Sequence, residues 1–160
     1  MPYTRKIRLR VKIEGLMFKV QGLRFKVGGK MKINRFEDLE VWQESRSLCK
    51  KIFSVTNQKP FKTDFKFRSQ ILSSSGSTMD NIAEGFERGG NKEFLQFLSI
   101  AKGSCGEVRS QLYRALDFEY IDKMVFEELL NDSEIISRKI SNLMLHLRKS
   151  DMKGPKYRQP

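Results

Sequence analysis

The sequence predicts an all-α, antiparallel, up-down-up-down four-helix bundle with a non-helical, basic N-terminal extension. Three observations predict it. From Asn34 onward, apolar residues recur at spacings of three and four in four successive segments. Those segments are separated by short stretches rich in Gly, Pro, Asn and Asp, which suit tight connections between antiparallel neighbours. The period-two alternation of a strand occurs only near the N-terminus, where Ile7, Leu9, Val11 and Ile13 alternate with Arg8, Arg10 and Lys12.

The first helix is expected from Arg35 to about Thr56. Asn34, with Glu37 three residues later, has the form of a capping box. Two apolar stripes lie side by side on this helix: Leu39, Trp42, Cys49, Ile52 and Phe53, then Val41, Ser45, Leu48, Ile52 and Val55. Asn57–Lys62, which contains Pro60, reads as a loop. The second helix is expected over 64–86 with Thr63 as its cap. Ile71, Leu72, Ser75, Met79, Ile82, Ala83 and Phe86 mark its inner face. The run Ser73–Thr78 lowers helix propensity but permits close helix approach, so one continuous helix is expected. Gly89 and Gly90 supply the stop.

Asn91 is the expected cap of the third helix. Its seam is Phe94, Leu98, Ala101, Cys105, Val108, Leu112 and Ala115, in alternating steps of four and three. Gly103 and Gly106 interrupt it and call for close packing. The fourth helix is expected after Asp122, with a seam of Phe126, Leu129, Ser133, Ile136, Ile140, Leu143 and Leu147. Lys153-Gly154-Pro155 ends the pattern. The chain thus divides into an extension (1–30), a bundle (31–150) and a disordered tail (151–160). Val41, Leu48, Val55, Leu95, Phe97 and Ile100 fall outside the narrow seams, where they serve either a self-association interface or a widened core face.

The net charge of +12 in 160 residues is carried by the ends. Residues 1–30 hold nine Lys/Arg against Glu14 alone, residues 148–160 hold five against Asp151, and the middle is balanced. Basic tails on a neutral body suit nucleic acid or another anionic surface, or are simply solvated. Within the extension, GLMFKVQ (Gly15–Gln21) is repeated as GLRFKVG (Gly22–Gly28), five of seven positions being identical. This segment is either a basic arm offering Phe18 and Phe25 for base stacking, or translated repetitive sequence upstream of a start at Met31.

Cys49 and Cys105 sit on apolar stripes, as free buried thiols of a reducing, cytoplasmic protein do. No apolar run approaches the ~20 residues of a membrane span. The single histidine, His146, has no Glu-x-x-His context, and two separated cysteines make no zinc site. A Cys105–His146 pair is the one arrangement left for nucleophilic chemistry. Gly29-Lys30 fails as a P-loop because Met31 stands in the Ser/Thr position. No catalytic residue, metal or cofactor is expected.

Four segments, FEDLEVWQESRSL (Phe36–Leu48), FKFRSQI (Phe65–Ile71), NIAEGFERGG (Asn81–Gly90) and KEFLQFLSIAKGSCGEVRSQL (Lys92–Leu112), resemble the S23 ribosomal protein or 23S rRNA intervening-sequence protein family. That family is similar to the accessory protein of diversity-generating retroelements. The resemblance implies a bacterial, cytoplasmic, non-enzymatic homo-oligomer, a pentamer by that relative, with affinity for RNA or DNA. It implies alternatively a protein adaptor, for example for a reverse transcriptase, without a nucleic-acid role of its own. Asn81, Glu84 and Gly85 match the turn motif; Ser104, Glu107 and Gln111 match the third-helix motif. Both sets read as structural, with the amide and carboxylates satisfying backbone donors near helix ends. Many relatives carry basic residues after the glutamine matching Gln70, where this chain has Leu72 and Ser73. The candidate nucleic-acid contacts are then Lys66, Arg68, Arg88, Lys92, Lys102, Arg109 and Arg114, with Lys102, Arg109 and Arg88 along one side of the third helix and its preceding turn.

Overall fold

The computed structural model describes residues 33–151 and, within the extension, the two-residue strands β1 (Lys19–Val20) and β2 (Leu23–Arg24), which pair antiparallel. Apart from these four residues, the expectations for 1–30, and those for 152–160, lie outside the described residues. Four helices follow: α1 (Glu40–Thr56), α2 (Phe65–Glu87), α3 (Asn91–Asp117) and α4 (Lys123–Asp151). Each packs against its two neighbours in the ring α1–α2–α3–α4, the arrangement expected of an up-down-up-down bundle.

The helix starts depart from expectation where burial or a better cap intervenes. Asn34 and Glu37 form no capping box. Phe36–Asp38 is a 3-10 turn, and α1 begins only after Leu39, whose backbone is extended. Leu39 is buried, and Phe36 packs edge-on against Trp42 at 5.0 Å, so apolar packing fixes this entry. Gln43 Nε2 donates to the Glu37 carbonyl at 2.8 Å and braces the turn. At α2 the cap is Asp64 rather than Thr63: Asp64 Oδ1 accepts from Phe67 N–H at 3.0 Å. Thr63 ends a second 3-10 turn, Phe61–Thr63, anchored by the buried Phe61. At α3 the cap is Gly90, one residue before the expected Asn91. Gly89, with φ 73°, makes the left-handed stop after α2. Asp122 Oδ1 accepts from Val125 N–H at 2.8 Å and opens α4 as expected.

The α3 seam is buried at all seven expected positions, and the α4 seam at all but the half-buried Leu143. On α1 the second stripe is the core: Val41, Ser45, Leu48 and Ile52 are buried, whereas Phe53 is 54% exposed. Val41 and Leu48 therefore belong to the monomer's own core, and Val55 and Leu95 pack against it. Of the six residues outside the seams, only Ile100 is exposed. α2 is continuous through its serine run, where Ser74, Ser75 and Thr78 are buried in the bundle and the Ser75 and Thr78 hydroxyls donate to the Leu72 and Ser74 carbonyls.

Gly85 decides how close α2 and α3 come. A Cβ there would lie 2.6 Å from Phe97 Cβ and 3.0 Å from Phe94 Cδ2. Gly103 and Gly106, expected to be closely packed, have open space instead. Gly85→Ala should therefore destabilise by about 1–3 kcal/mol, whereas Gly103→Ala should stabilise by up to about 1 kcal/mol through the helix propensity it restores; urea unfolding midpoints of the two variants will move in opposite directions.

Cys105 Sγ donates to the Ser133 carbonyl across the α3–α4 seam at 3.1 Å. His146 lies thirteen residues beyond Ser133, about 20 Å along α4 at 1.5 Å per residue, so Cys105 and His146 form no pair. Burial pushes the Cys105 thiol up to about 11 from 9.0. The folded chain thus holds this proton more tightly than the unfolded chain. The stability it contributes is complete below pH 9 and lost as pH rises toward 11. Urea midpoints should fall over that interval, and Cys105→Ala should remove part of the fall.

Candidate nucleic-acid interface

The residues matched by the two motifs meet along the α2–α3 seam. Asn81 Nδ2 donates to the Ser77 carbonyl and hydroxyl at 2.8 and 3.0 Å. Ser77 and Ser104 share a hydroxyl hydrogen bond of 2.9 Å. One turn further, the Ser74 hydroxyl lies 3.0 Å from both Glu107 Oε2 and the Gln70 carbonyl, and accepts from Gln111 Nε2 at 3.0 Å. The contacts differ from those expected. These side chains bond one another in mid-helix instead of satisfying backbone donors at helix ends. The hydroxyls of Ser74, Ser77 and Ser104 sit between the two helices, and Glu107 and Gln111 reach across to Ser74. Glu84 stands apart, in an ion pair with Arg88 at 2.6 Å.

The seven candidate cations divide into two groups. Three are engaged within the bundle, and a fourth, Arg109, is partly enclosed by it. Arg68 donates to Asn57 Oδ1 at 2.7 Å and holds the α1–α2 loop. Arg88, besides its pair with Glu84, lies over the Phe97 ring at 4.8 Å. Arg114 stacks on Phe67 at 4.2 Å and donates to Gln70 Oε1 at 3.0 Å. Arg109 is half-buried, its Nε enclosed without a partner among the described residues. Lys66, Lys92 and Lys102 are exposed and make no ion pair among the described residues. Arg88 does not share a face with Lys102: its partner Phe97 precedes Lys102 by five residues, which turns the helix by about 140°. Lys102 and Arg109, seven apart, do share one.

Beside Arg114 the α2–α3 seam opens into a groove of about 580 Å³, lined by Ser69, Gln70, Ser73, Ser110, Gln111 and Glu107 among others. It is polar and carries both signs of charge. No group of three metal-capable side chains forms among the described residues.

The α1–α2 hairpin presents a clearer electrostatic feature, which the candidate set missed apart from Lys66 and Arg68. Between Arg46 and Arg68 stand seven Lys/Arg against one acid, Asp64. Lys51 is absorbed between α1 and α4, by Asp132 at 2.7 Å and Glu128 at 2.6 Å. The hydrogen bond to Asp132 and that to Glu128 hold its ammonium above the ordinary range. Arg68 is tied to Asn57. The other five, Arg46, Lys50, Lys59, Lys62 and Lys66, are all exposed and form no ion pair among the described residues. The Asp64 carboxylate is occupied by Phe67 N–H and by the Tyr120 hydroxyl at 3.2 Å. The local ratio of basic to acidic residues was visible in the sequence. Which lysines the fold would use was not.

No curated protein matches the chain. Among solved structures it is similar to a protein of unknown function from the S23 ribosomal protein family of Bacteroides thetaiotaomicron VPI-5482. The TM-score is 0.61 and the identity 25%, over 65% of this chain and 94% of that one. The family model of the 23S rRNA-intervening sequence protein matches residues 37–142, from the turn before α1 to near the end of α4. With the four helices and their seams in place, the chain belongs to the 23S rRNA-intervening sequence protein family.

Proposed function

We propose that this protein is a non-enzymatic, homo-oligomeric four-helix scaffold that binds RNA through phosphate contacts. The observation that carries the reading is the α1–α2 hairpin, where five exposed cations form no ion pair among the described residues, on a body whose charges cancel only in sum. A surface of this kind attracts a polyanion and releases its condensed counterions. The family description, which concerns a 23S rRNA intervening sequence, favours RNA over DNA as the polyanion. Basic residues 1–30 and 148–160 add to the attraction without defining a site. Sequence selectivity is weak in this reading, since phosphates carry no base identity.

Self-association is supported by exposed apolar side chains outside that hairpin, on both flanks of α3 and on the outer face of α4. Ile100, Tyr113, Met124 and Leu145 on α3 and α4 are large, apolar or aromatic, and exposed. Such a division would leave the α1–α2 hairpin free for RNA while α3 and α4 meet other copies.

Fluorescence anisotropy with a labelled RNA across a salt series tests the reading, with the oligomer mass measured by light scattering on the same sample. Affinity should fall log-linearly with salt, with a slope near −0.7 for each single-strand phosphate neutralised. The double variant Lys59→Glu, Lys62→Glu should weaken binding and flatten that slope while leaving the mass unchanged. A defined oligomer that binds no RNA at low salt would instead favour a protein adaptor.

A further inference from the structure

We infer that the outer face of the α1–α2 hairpin takes unpaired RNA, with bases stacking on the exposed rings of Phe53 and Phe65 while the surrounding cations hold the phosphates. This rests on the reading of the hairpin as an RNA-binding surface and adds the class of RNA it selects.

The two rings are 54% and 76% exposed, although both belong to helices with well-filled cores. Their placement follows from the contacts of their neighbours. On α1, Leu48 and Ile52 point inward and Lys51 reaches α4, so Arg46, Lys50 and Phe53, at steps of four and three, form a separate outward stripe. Cys49, beside Lys50, approaches Ser75 of α2 at 3.7 Å, so this stripe flanks α2. On α2, Phe65 is the first helical residue. Phe67, two positions on, is buried, which turns Phe65 outward.

Two cross-helix contacts fix the register. Cys49 meets Ser75 and Asn57 meets Arg68, so Phe53 lies level with about residue 71 of α2. Phe65 is six residues from there, so the rings are about 9 Å apart along the bundle axis. Arg46 and Lys50 precede the first ring, and Lys59, Lys62 and Lys66 surround the second. The one acid in this stretch, Asp64, is engaged by Phe67 N–H and the Tyr120 hydroxyl.

Exposed aromatic rings interleaved with cations suit single strands, whose bases are free to stack. A duplex would offer this face only its phosphates, because its bases are already stacked and paired. The same charge argues against a second copy as the occupant. Two such faces opposed would bring five cations against five with no acid to answer them.

Binding of a labelled twelve-nucleotide oligouridylate and of a twelve-base-pair RNA duplex to the full chain tests the inference. The native protein should prefer the single strand. Phe53→Ala with Phe65→Ala should weaken the single strand roughly tenfold or more, with duplex affinity and oligomer mass unchanged. Lys62→Gln with Lys66→Gln should weaken both probes. Equal affinity for the two probes, or a single-strand affinity indifferent to loss of the rings, overturns the inference while leaving phosphate binding intact. A drop in oligomer mass on losing the rings also overturns it, by assigning them to contacts between copies. If the lysine substitutions change neither probe, the hairpin is no RNA surface and the parent reading fails with it.

Discussion

The close approach of α2 and α3 at Gly85 is the constraint on which the rest of the bundle depends. No side chain fits between that glycine and Phe97. Farther along the seam the two helices meet through polar side chains. Ser77 meets Ser104, and Ser74 meets Glu107 and Gln111. Each hydrogen bond is worth only about 1 kcal/mol net, yet a slip of one residue would leave several half-buried polar groups without partners at once. The ladder therefore fixes register more than it adds stability. Where the ladder ends, Arg114 closes over Phe67 and the polar groove opens beside it.

The other seams use different chemistry. Between α1 and α4, two lysines bridge pairs of acids. Lys51 lies between Glu128 and Asp132, and Lys139 between Glu40 and Glu44. At Lys139, burial pulls the ammonium downward, and hydrogen bonds to Glu40 and Glu44 more than offset it. These ion pairs gather the acids of α1 and α4 at their shared boundary. The consequence is a local separation: Glu40, Glu44, Glu128 and Asp132 are held at the α1–α4 boundary and Asp80, Glu84 and Glu87 lie toward the far end of α2, whereas the stretch from Arg46 to Arg68 keeps its lysines with Asp64 as its one acid.

That separation connects architecture to the proposed function. A chain whose middle is neutral in sum presents a basic hairpin because the fold pairs some lysines and leaves others free. The exposed rings of Phe53 and Phe65 lie among those cations, whereas Phe61 and Phe67 are buried and pack together at 5.0 Å. One short stretch of sequence thus divides its phenylalanines between the core and the surface.

The sequence by itself determined the four helices, their order, the α3 seam and nearly all of the α4 seam. Each rests on a periodicity of apolar residues that burial then enforces. That Asn81, Ser104, Glu107 and Gln111 bond within one seam, and that Gly85 is where α2 comes close against Phe97 of α3, emerged only with the helices side by side. Only the tertiary structure decided which of two stripes on α1 faces the core, since both had helical spacing. It moved the α1 entry to Leu39, because packing of Phe36 on Trp42 outweighs a local cap. It left Gly103 and Gly106 in open space. It also sorted the cations, engaging Arg68, Arg88 and Arg114, setting Arg46 over the Trp42 ring at 5.9 Å, and leaving Lys50, Lys59, Lys62 and Lys66 exposed without an ion pair among the described residues. The reason is the same in each case: periodicity is a property of one helix, whereas the partner of a charge or a ring is set by whichever helix comes to lie beside it.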